Sequence, residues 1–337
     1  MWLWAAFIVF ILFLLMLDLG VFHRKAHAIT LKEALLLSGL WISVALVFNV
    51  FIYFAYEHHW FGLDLTEHEP DGRTAAILFL TGYVVEKSLG LDNVFAIAMI
   101  FVYFRIPPLY QHRVLFWGVV GALVMRAVMI LAGVALIERF DWILYLFGAF
   151  LIVSGVKMAL GRGASDLEKN PVIALARQLL PVTHNLVGER LAVRIGGKFT
   201  LTPLALTLIM IESSDLIFAV DSIPAIFAIT REPFLVFTSN IMAVLGLRSL
   251  YFALAGIINR FRYLRLSLAL LLALIGTKFI LKDILPAEPD TVYYTLGAVT
   301  VILTGGVVAS LICARRTPES CHVDIPARRK LVRRENR

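Results

Sequence analysis

Nine stretches of mostly apolar residues, most of them long enough to cross a bilayer, decide what this chain can fold into. They fall at about 2–22, 34–56, 74–104, 113–137, 140–160, 200–229, 233–256, 265–285 and 291–313, each bounded by charge or proline. A spanning helix needs about 20 mostly apolar residues, and a chain that is 60% hydrophobic and 16% charged supplies them repeatedly. A soluble enzyme, a disulfide scaffold and a disordered chain are excluded on that ground. Barrel strands would show short alternating segments, and none read that way. The fold class is an all-α polytopic membrane protein with about nine transmembrane helices.

The first stretch opens Met1-Trp2-Leu3-Trp4 with neither a basic leader nor a small-residue cleavage site, so a retained helix is expected. The two cysteines, Cys313 and Cys321, imply no disulfide framework and have no metal spacing. Lys and Arg alternate between connections. Segments 23–32, 105–113, 162–199, 257–265 and the tail from Arg315 hold 3, 2, 6, 3 and 8 of them, whereas the other connections hold only Arg73, Arg139, Arg231 and Lys282. Such an excess marks the cytoplasmic side. The N-terminus is therefore expected outside, with the acidic loop of Glu57, Asp64, Glu67, Glu69 and Asp71, and the C-terminus inside. The formal charge of +7 is a topology signal, helped by anionic membrane lipid, and requires no nucleic acid. The long loop is punctuated by Gly161, Gly163, Pro171 and Pro181; Ile173–Leu180 is read as a short helix against the membrane, and Gly196-Gly197 as a turn. It holds no catalytic motif, so no enzyme is expected, and protein partners at 162–199 stay unidentified.

A repeat organises the middle of the chain. Glu86-Lys-Ser-Leu-Gly-Leu-Asp92-Asn93-Val-Phe-Ala-Ile97 in the third stretch is answered in the sixth by Asp215-Leu-Ile-Phe-Ala-Val-Asp221-Ser222-Ile-Pro-Ala-Ile226. Arg126, followed by Ala132-Gly133, is answered by Arg248, followed by Ala255-Gly256. Gly155-Val-Lys157 is answered by Gly276-Thr-Lys278. Each unit contains three spans, so the second must lie upside down relative to the first, the inverted repeat of many transporters. The chain then divides into two peripheral helices (1–56), a first three-helix repeat (74–160), a cytoplasmic loop (161–199), a second repeat (200–285), a ninth helix (291–314) and a basic cytoplasmic tail (315–337).

Ten ionisable residues lie inside the repeat spans: Glu86, Lys87, Asp92, Arg126, Lys157, Glu212, Asp215, Asp221, Arg248 and Lys278; Asp18 adds one in the first span. At roughly 2.5–3.5 kcal/mol each, the ten would oppose insertion by about 25–35 kcal/mol if unpaired. They must be paired, hydrated or bound to an ion. At about 100° per residue, Glu86 and Asn93 share one stripe, Asp215 and Ser222 repeat the relation, and Glu212 stands about 60° from Asp215. Asp92 and Asp221 lie about 120° away from their acidic partners on regular helices. Pro224 removes the hydrogen bond to the Val220 carbonyl, so a kink or unwound turn is expected there, with Gly90 the weaker counterpart in the first repeat. Carboxylates with Asn93, Asn240 and Ser222 are hard oxygen donors, suited to Mg, Ca or Mn. Helix–helix glue remains the plainer reading for Arg126, Lys157, Arg248 and Lys278, which would hold carboxylates in place.

At these residues the sequence resembles the TerC family, and its Alx-type bacterial members in particular. Glu86-Lys-Ser-Leu-Gly-Leu-Asp92-Asn93-Val-Phe and Glu212-Ser-Ser-Asp215-Leu-Ile-Phe-Ala-Val-Asp221-Ser-Ile-Pro-Ala-Ile-Phe-Ala-Ile-Thr are similar to the two signature segments of that family, and Phe140-Asp-Trp-Ile-Leu-Tyr-Leu-Phe-Gly-Ala-Phe and Thr238-Ser-Asn240 add to the likeness. It covers about residues 20–285, with Ser213 where the family often has a hydrophobic residue. The resemblance implies an inner-membrane exporter of manganese(II), with the family's membrane acids on Glu86, Asp92, Glu212, Asp215 and Asp221. The resulting expectation is a secondary transporter whose metal site comprises Glu86, Asp92, Asn93, Glu212, Asp215, Asp221 and Asn240. Arg126, Lys157, Arg248 and Lys278 would pair with the empty site, Mn(II) would be the transported ion, protons the counter-ion, and no cofactor would be permanently bound. The alternatives are a membrane scaffold acting through 162–199 and the tail, and an exporter of a small organic cation.

Overall fold

The computed structural model describes residues 2–20, 30–60, 70–140, 142–160, 181–183, 186–195, 197–254, 262–281 and 291–316. Among these residues it is helical almost throughout: α1 (Trp2–Gly20), α2 (Leu31–Glu57), α3 (Gly72–Tyr103), α4 (Pro108–Arg139), α5 (Ile143–Ala159), α6 (Pro203–Phe227), α7 (Pro233–Leu245), α8 (Leu247–Leu254), α9 (Arg262–Ile280) and α10 (Thr291–Arg316). The helix starts are written locally. Thr30 and Glu33 form a reciprocal capping box on α2. The Asp71 carboxylate accepts the Thr74 N–H at 3.3 Å at the start of α3. Proline opens α4, α6 and α7, where its missing N–H costs no intrahelical bond.

Five segments, Leu31–Glu57, Pro108–Arg139, Pro203–Phe227, Pro233–Leu254 and Val292–Ser310, are long and apolar enough to cross a membrane; Trp2–Asp18, Ile143–Ala159 and Leu266–Ile280 are apolar but shorter. Helix α3 spans 32 residues and carries Glu86, Lys87 and Asp92. Large apolar side chains such as Val9, Leu36, Val47, Val128 and Val301 stand exposed along the helices, as lipid-facing positions require. The chain is a polytopic membrane protein.

Two expectations about helix breaks are corrected. Helix α6 runs through Pro224 to Phe227 without interruption, because the lost hydrogen bond falls in the last turns, where only three residues remain. Helix α3 runs through Gly90, whose missing side chain admits α8: a Cβ there would stand 2.8 Å from Leu247 Cδ2. The interruption comes at Gly246, between α7 and α8. There Lys87 Nζ donates to the Ala243 carbonyl at 3.2 Å, and Trp41 lies across the same glycine.

The packing partners exchange in a regular way. Helix α3 packs on α7 as α6 packs on α4, while α3 meets α6, α4 meets α7 and α5 meets α9. The α5–α9 crossing is the most intimate. A Cβ on Gly148 would come 2.8 Å from the Gly276 carbonyl oxygen, and one on Gly155 would come 2.7 Å from the Ala269 carbonyl oxygen. Gly148 precedes Gly155 by seven residues, and Ala269 precedes Gly276 by seven, so the two contacts interchange when the two segments do.

Helix α2 packs on α3 and α8, and α10 on α9 and α3. Rings of Trp4 and Phe7 on α1 pack against Phe234 and Phe237 of α7, with Phe48 of α2 beside Phe7. The loop before α6 contains a hairpin that its apolar pattern did not announce: β1 (Ala192–Ile195) pairs antiparallel with β2 (Lys198–Leu201), and Gly197 takes φ +78° in the turn between them. The short helix read at Ile173–Leu180, most of the acidic loop and the tail beyond Arg316 lie outside the described residues.

Candidate cation site

Four helices deliver one buried polar cluster. Helix α3 presents Glu86 and Asn93 two turns apart, α6 presents Asp215, α4 presents Arg126 and α7 presents Asn240. Arg126 and Asn240 are fully buried, and Glu86, Asn93 and Asp215 retain 2%, 4% and 8% of their exposure. The guanidinium of Arg126 ties α4 to α3, α6 and α7: Nη1 donates to Glu86 Oε1 and, at 3.1 Å, to Asn240 Oδ1, while Nη2 donates to Asp215 Oδ1 at 3.3 Å. Asn93 Nδ2 donates to the same Asp215 oxygen at 3.0 Å. A guanidinium suits this role because its planar fork reaches two carboxylates at once.

The cluster is incompletely satisfied. Glu86 Oε2, Asn93 Oδ1, Asp215 Oδ2, Arg126 Nε, Asn240 Nδ2 and, two turns along α6 from Asp215, Ser222 Oγ are buried with no hydrogen-bond partner. Each such atom costs about 1–3 kcal/mol. Two small cavities flank it. One is lined by Glu86, Asp92, Asn93, Asp221 and Ser222, with Arg126 at its wall. The other is lined by Asn93, Ser214, Asp215 and Arg248 among apolar residues that include Gly118. Asn93 and Phe218 belong to both.

The remaining expected residues separate. Asp221 faces α5 as well as the first cavity, and Ser154 Oγ donates to its Oδ1 at 2.7 Å. Lys157, one turn beyond Ser154, is an electrostatic neighbour of Asp221. Asp92 reaches the same cavity without a break in α3. Glu212 lies instead on the α4–α6 seam, its carboxylate over Gly121, where any Cβ would collide with it. Lys278 turns to α10 and donates to Thr295 Oγ1 at 3.1 Å. Arg248 pairs with Asp18 of the first helix at 2.9 Å. Among the described residues no three His, Cys, Asp or Glu side chains converge on one point; Arg126 stands between Glu86 and Asp215, and the first cavity is completed by amide and hydroxyl oxygens. Ser154, Thr295 and the carbonyl of Ala243 were not singled out in the sequence. Ser154 alone offered a signal, as a hydroxyl inside the apolar run Leu151-Ile-Val-Ser154-Gly155.

Comparison with known proteins agrees with this architecture. Residues 71–318 match the family described as integral membrane protein TerC family. A membrane protein of Myxococcus xanthus is 46% identical over 319 residues, covering 94% of both chains. Alx of Escherichia coli K12, whose name suggests a membrane-bound redox modulator, is 46% identical over 283 residues, covering 83% of this chain and 86% of its own. A membrane protein of Rickettsia bellii is 41% identical over 310 residues, covering 92% of this chain and 97% of its own. No solved structure matches. Cluster and signature segments coincide, and the chain belongs to the TerC family of integral membrane proteins, among its Alx-type members.

Proposed function

We propose that this protein is a secondary transporter that moves a divalent cation, Mn(II), out of the cytosol in exchange for protons, through the cavity between α3, α5 and α6. One observation carries the reading. Three buried oxygens without partners, Glu86 Oε2, Asn93 Oδ1 and Ser222 Oγ, belong to residues that line one cavity with Asp92 and Asp221. A hard divalent cation takes such a mixed carboxylate, amide and hydroxyl set, and a cavity this small suits an ion better than an organic cation.

In the empty protein Arg126 supplies the positive charge, bridging Glu86 and Asp215, and Asn93 and Asn240 fix its geometry. An arriving cation competes with that guanidinium for Glu86. Asp92 and Asp221, facing the same cavity, release protons when the 2+ charge arrives and recover them when it leaves, which supplies the exchange. Ser154 and Lys157 hold the Asp221 carboxylate in its ionised orientation between those steps.

On this reading the nine apolar stretches all span, α3–α5 and α6–α9 are inverted repeats, and the exchange of packing partners across α5–α9 is their symmetry. The N-terminus is outside, the C-terminus cytoplasmic and the membrane the inner one. Lipid is the solvent, no catalytic step or resident cofactor is involved, and nucleic acid is not a partner. The redox effect in the relatives' name follows from metal balance.

The test is transport in reconstituted vesicles with a metal panel and a pH-sensitive dye. Wild type is expected to carry Mn(II) with opposite proton movement, and Asp92→Ala or Asp221→Ala to stop it. Normal Mn(II) export by either variant sinks the reading. Loss of function on trimming 162–199 or the tail, with the acids dispensable, would replace it with a scaffold role.

A further inference from the structure

The two cavities beside the polar cluster are stacked end to end. On α3 the first takes residues from Glu86 to Asn93, and the second takes Asn93 and Ile97. On α6 the order along the chain is reversed: the second takes residues from Ile211 to Phe218, the first from Phe218 to Ser222. Helix α4 follows α6, giving Leu115 and Ala122 to the second cavity and Arg126, further along, to the first. Three helices thus order the cavities consistently along their axes, and the cavities meet at one level, at Asn93 and Phe218. Glu86 to Ile97 and Ile211 to Ser222 are each eleven residue steps. That is about 16 Å of helix rise, or about half of a hydrocarbon core about 30 Å thick.

The shared level has a polar half and an apolar half. In the polar half Asn93 Nδ2 donates to Asp215 Oδ1 at 3.0 Å, and Arg126 Nη2 reaches the same oxygen at 3.3 Å. Each cavity is lined by one carboxylate with an unsatisfied buried oxygen, Glu86 Oε2 for the first and Asp215 Oδ2 for the second, and Asn93, with its own unsatisfied Oδ1, lines both. The apolar half is Phe218, whose side chain has no polar atom to offer an ion. The repeat that aligns Glu86 with Asp215 and Asp92 with Asp221 aligns Phe218 with Leu89, so the internal symmetry does not demand a ring there. The geometry points to Phe218 as the gate between two consecutive compartments of one cation path, each opening toward a different side of the membrane. An apolar constriction excludes water and ions without an ionic lock, and turning a ring aside needs only a change of side-chain rotamer. Phe218 acts as a positioning residue, keeping the two carboxylates from sharing one continuous watery passage. This deepens the transport reading and rests on it for what the path carries.

Two measurements on the full chain test it. In vesicles holding a pH-sensitive dye, Phe218→Ala is expected to lose the dependence of proton movement on Mn(II), because joined cavities pass water and protons without the exchange step. Phe218→Met, which keeps most of the volume, is expected to stay as tightly coupled as wild type. Phe218→Ala as tightly coupled as wild type, or Phe218→Met as leaky as Phe218→Ala, overturns the inference.

The second measurement needs neither metal nor a foldable alanine variant. In a Cys313→Ser/Cys321→Ser background, Ser214→Cys marks the second cavity and Met158→Cys the first. A small membrane-impermeant thiol reagent is added to one side of uniformly oriented vesicles at a time. Each cysteine is expected to react from one side only, and the two from opposite sides. Reaction of both from the same side, of either from both sides, or of neither overturns the inference. If wild type carries no Mn(II), the transport reading fails, and the sidedness of the two cysteines still decides whether the cavities are separate compartments of one path.

Discussion

Removing the Arg126 guanidinium should convert a self-occupied site into one that depends on metal. In Arg126→Gln the ion pair to Glu86, the 3.3 Å contact to Asp215 and the 3.1 Å bond to Asn240 are lost together. Breaking a buried pair by deleting one partner costs about 3–5 kcal/mol, and a glutamine amide that regains one neutral bond returns about 1 kcal/mol. A net loss of about 2–4 kcal/mol is expected in chelator. Mn(II) at a hundred times its dissociation constant then restores about 2.7 kcal/mol. Wild type gains less from the same metal, because its own arginine must first be displaced. The assay is thermal unfolding of the purified protein in detergent, with chelator and with Mn(II), wild type beside variant. A variant as stable as wild type in chelator, or an equal metal shift in both proteins, refutes the reasoning.

Three further outcomes are expected. Ser154→Ala deletes the 2.7 Å donor to Asp221 and should weaken Mn(II) affinity in a binding titration about 5- to 30-fold, the equivalent of about 1–2 kcal/mol; an unchanged affinity counts against Asp221 as a ligand. Gly148→Ala drives a methyl against the Gly276 carbonyl and should destabilise by about 1–3 kcal/mol, whereas Gly39→Ala, with open space around it, should be neutral or stabilising by up to about 1 kcal/mol. The comparison is read from unfolding midpoints. Thr295→Val removes the acceptor of Lys278 and should cost about 1–3 kcal/mol in the same assay, with Mn(II) transport kept; a transport defect without a stability loss would return Lys278 to the cation pathway.

Helix extents and the residues of the central cluster were legible from the sequence because both are local or axial properties. Apolar runs, proline starts and the Thr30–Glu33 box mark the helices, and seven-residue spacing alone puts Glu86 and Asn93 on one stripe. Pairing across helices was not legible. Arg126, Arg248, Lys157 and Lys278 look equivalent in the repeat, yet one bridges two acids, one leaves for Asp18, one lies beside Asp221 and one bonds a threonine. Their destinations depend on which helix is adjacent, and nothing in the residues' own neighbourhoods states that. The break illustrates the same limit. Pro224 carries the stronger local signal, but it falls in the final turns of α6, while Gly246 separates α7 from α8 at the point where Lys87 and Trp41 need room.

The carbonyl-lined crossing of α5 and α9 limits how such a molecule can move. Side-chain seams can shear, since rotamers re-seat as ridges slide past one another. A seam in which the backbone of each helix faces a glycine of the other has nothing to re-seat, and a shift of one turn would drive Ile152 or Phe279 into the opposing main chain. If the two repeats move against each other, the pair would therefore serve as the axle they share. On the transport reading proposed above, exposing a cation first to one side of the membrane and then to the other calls for a rocking of α3, α4, α6 and α7 about that axle, at the seams that hold Arg126 and Glu212.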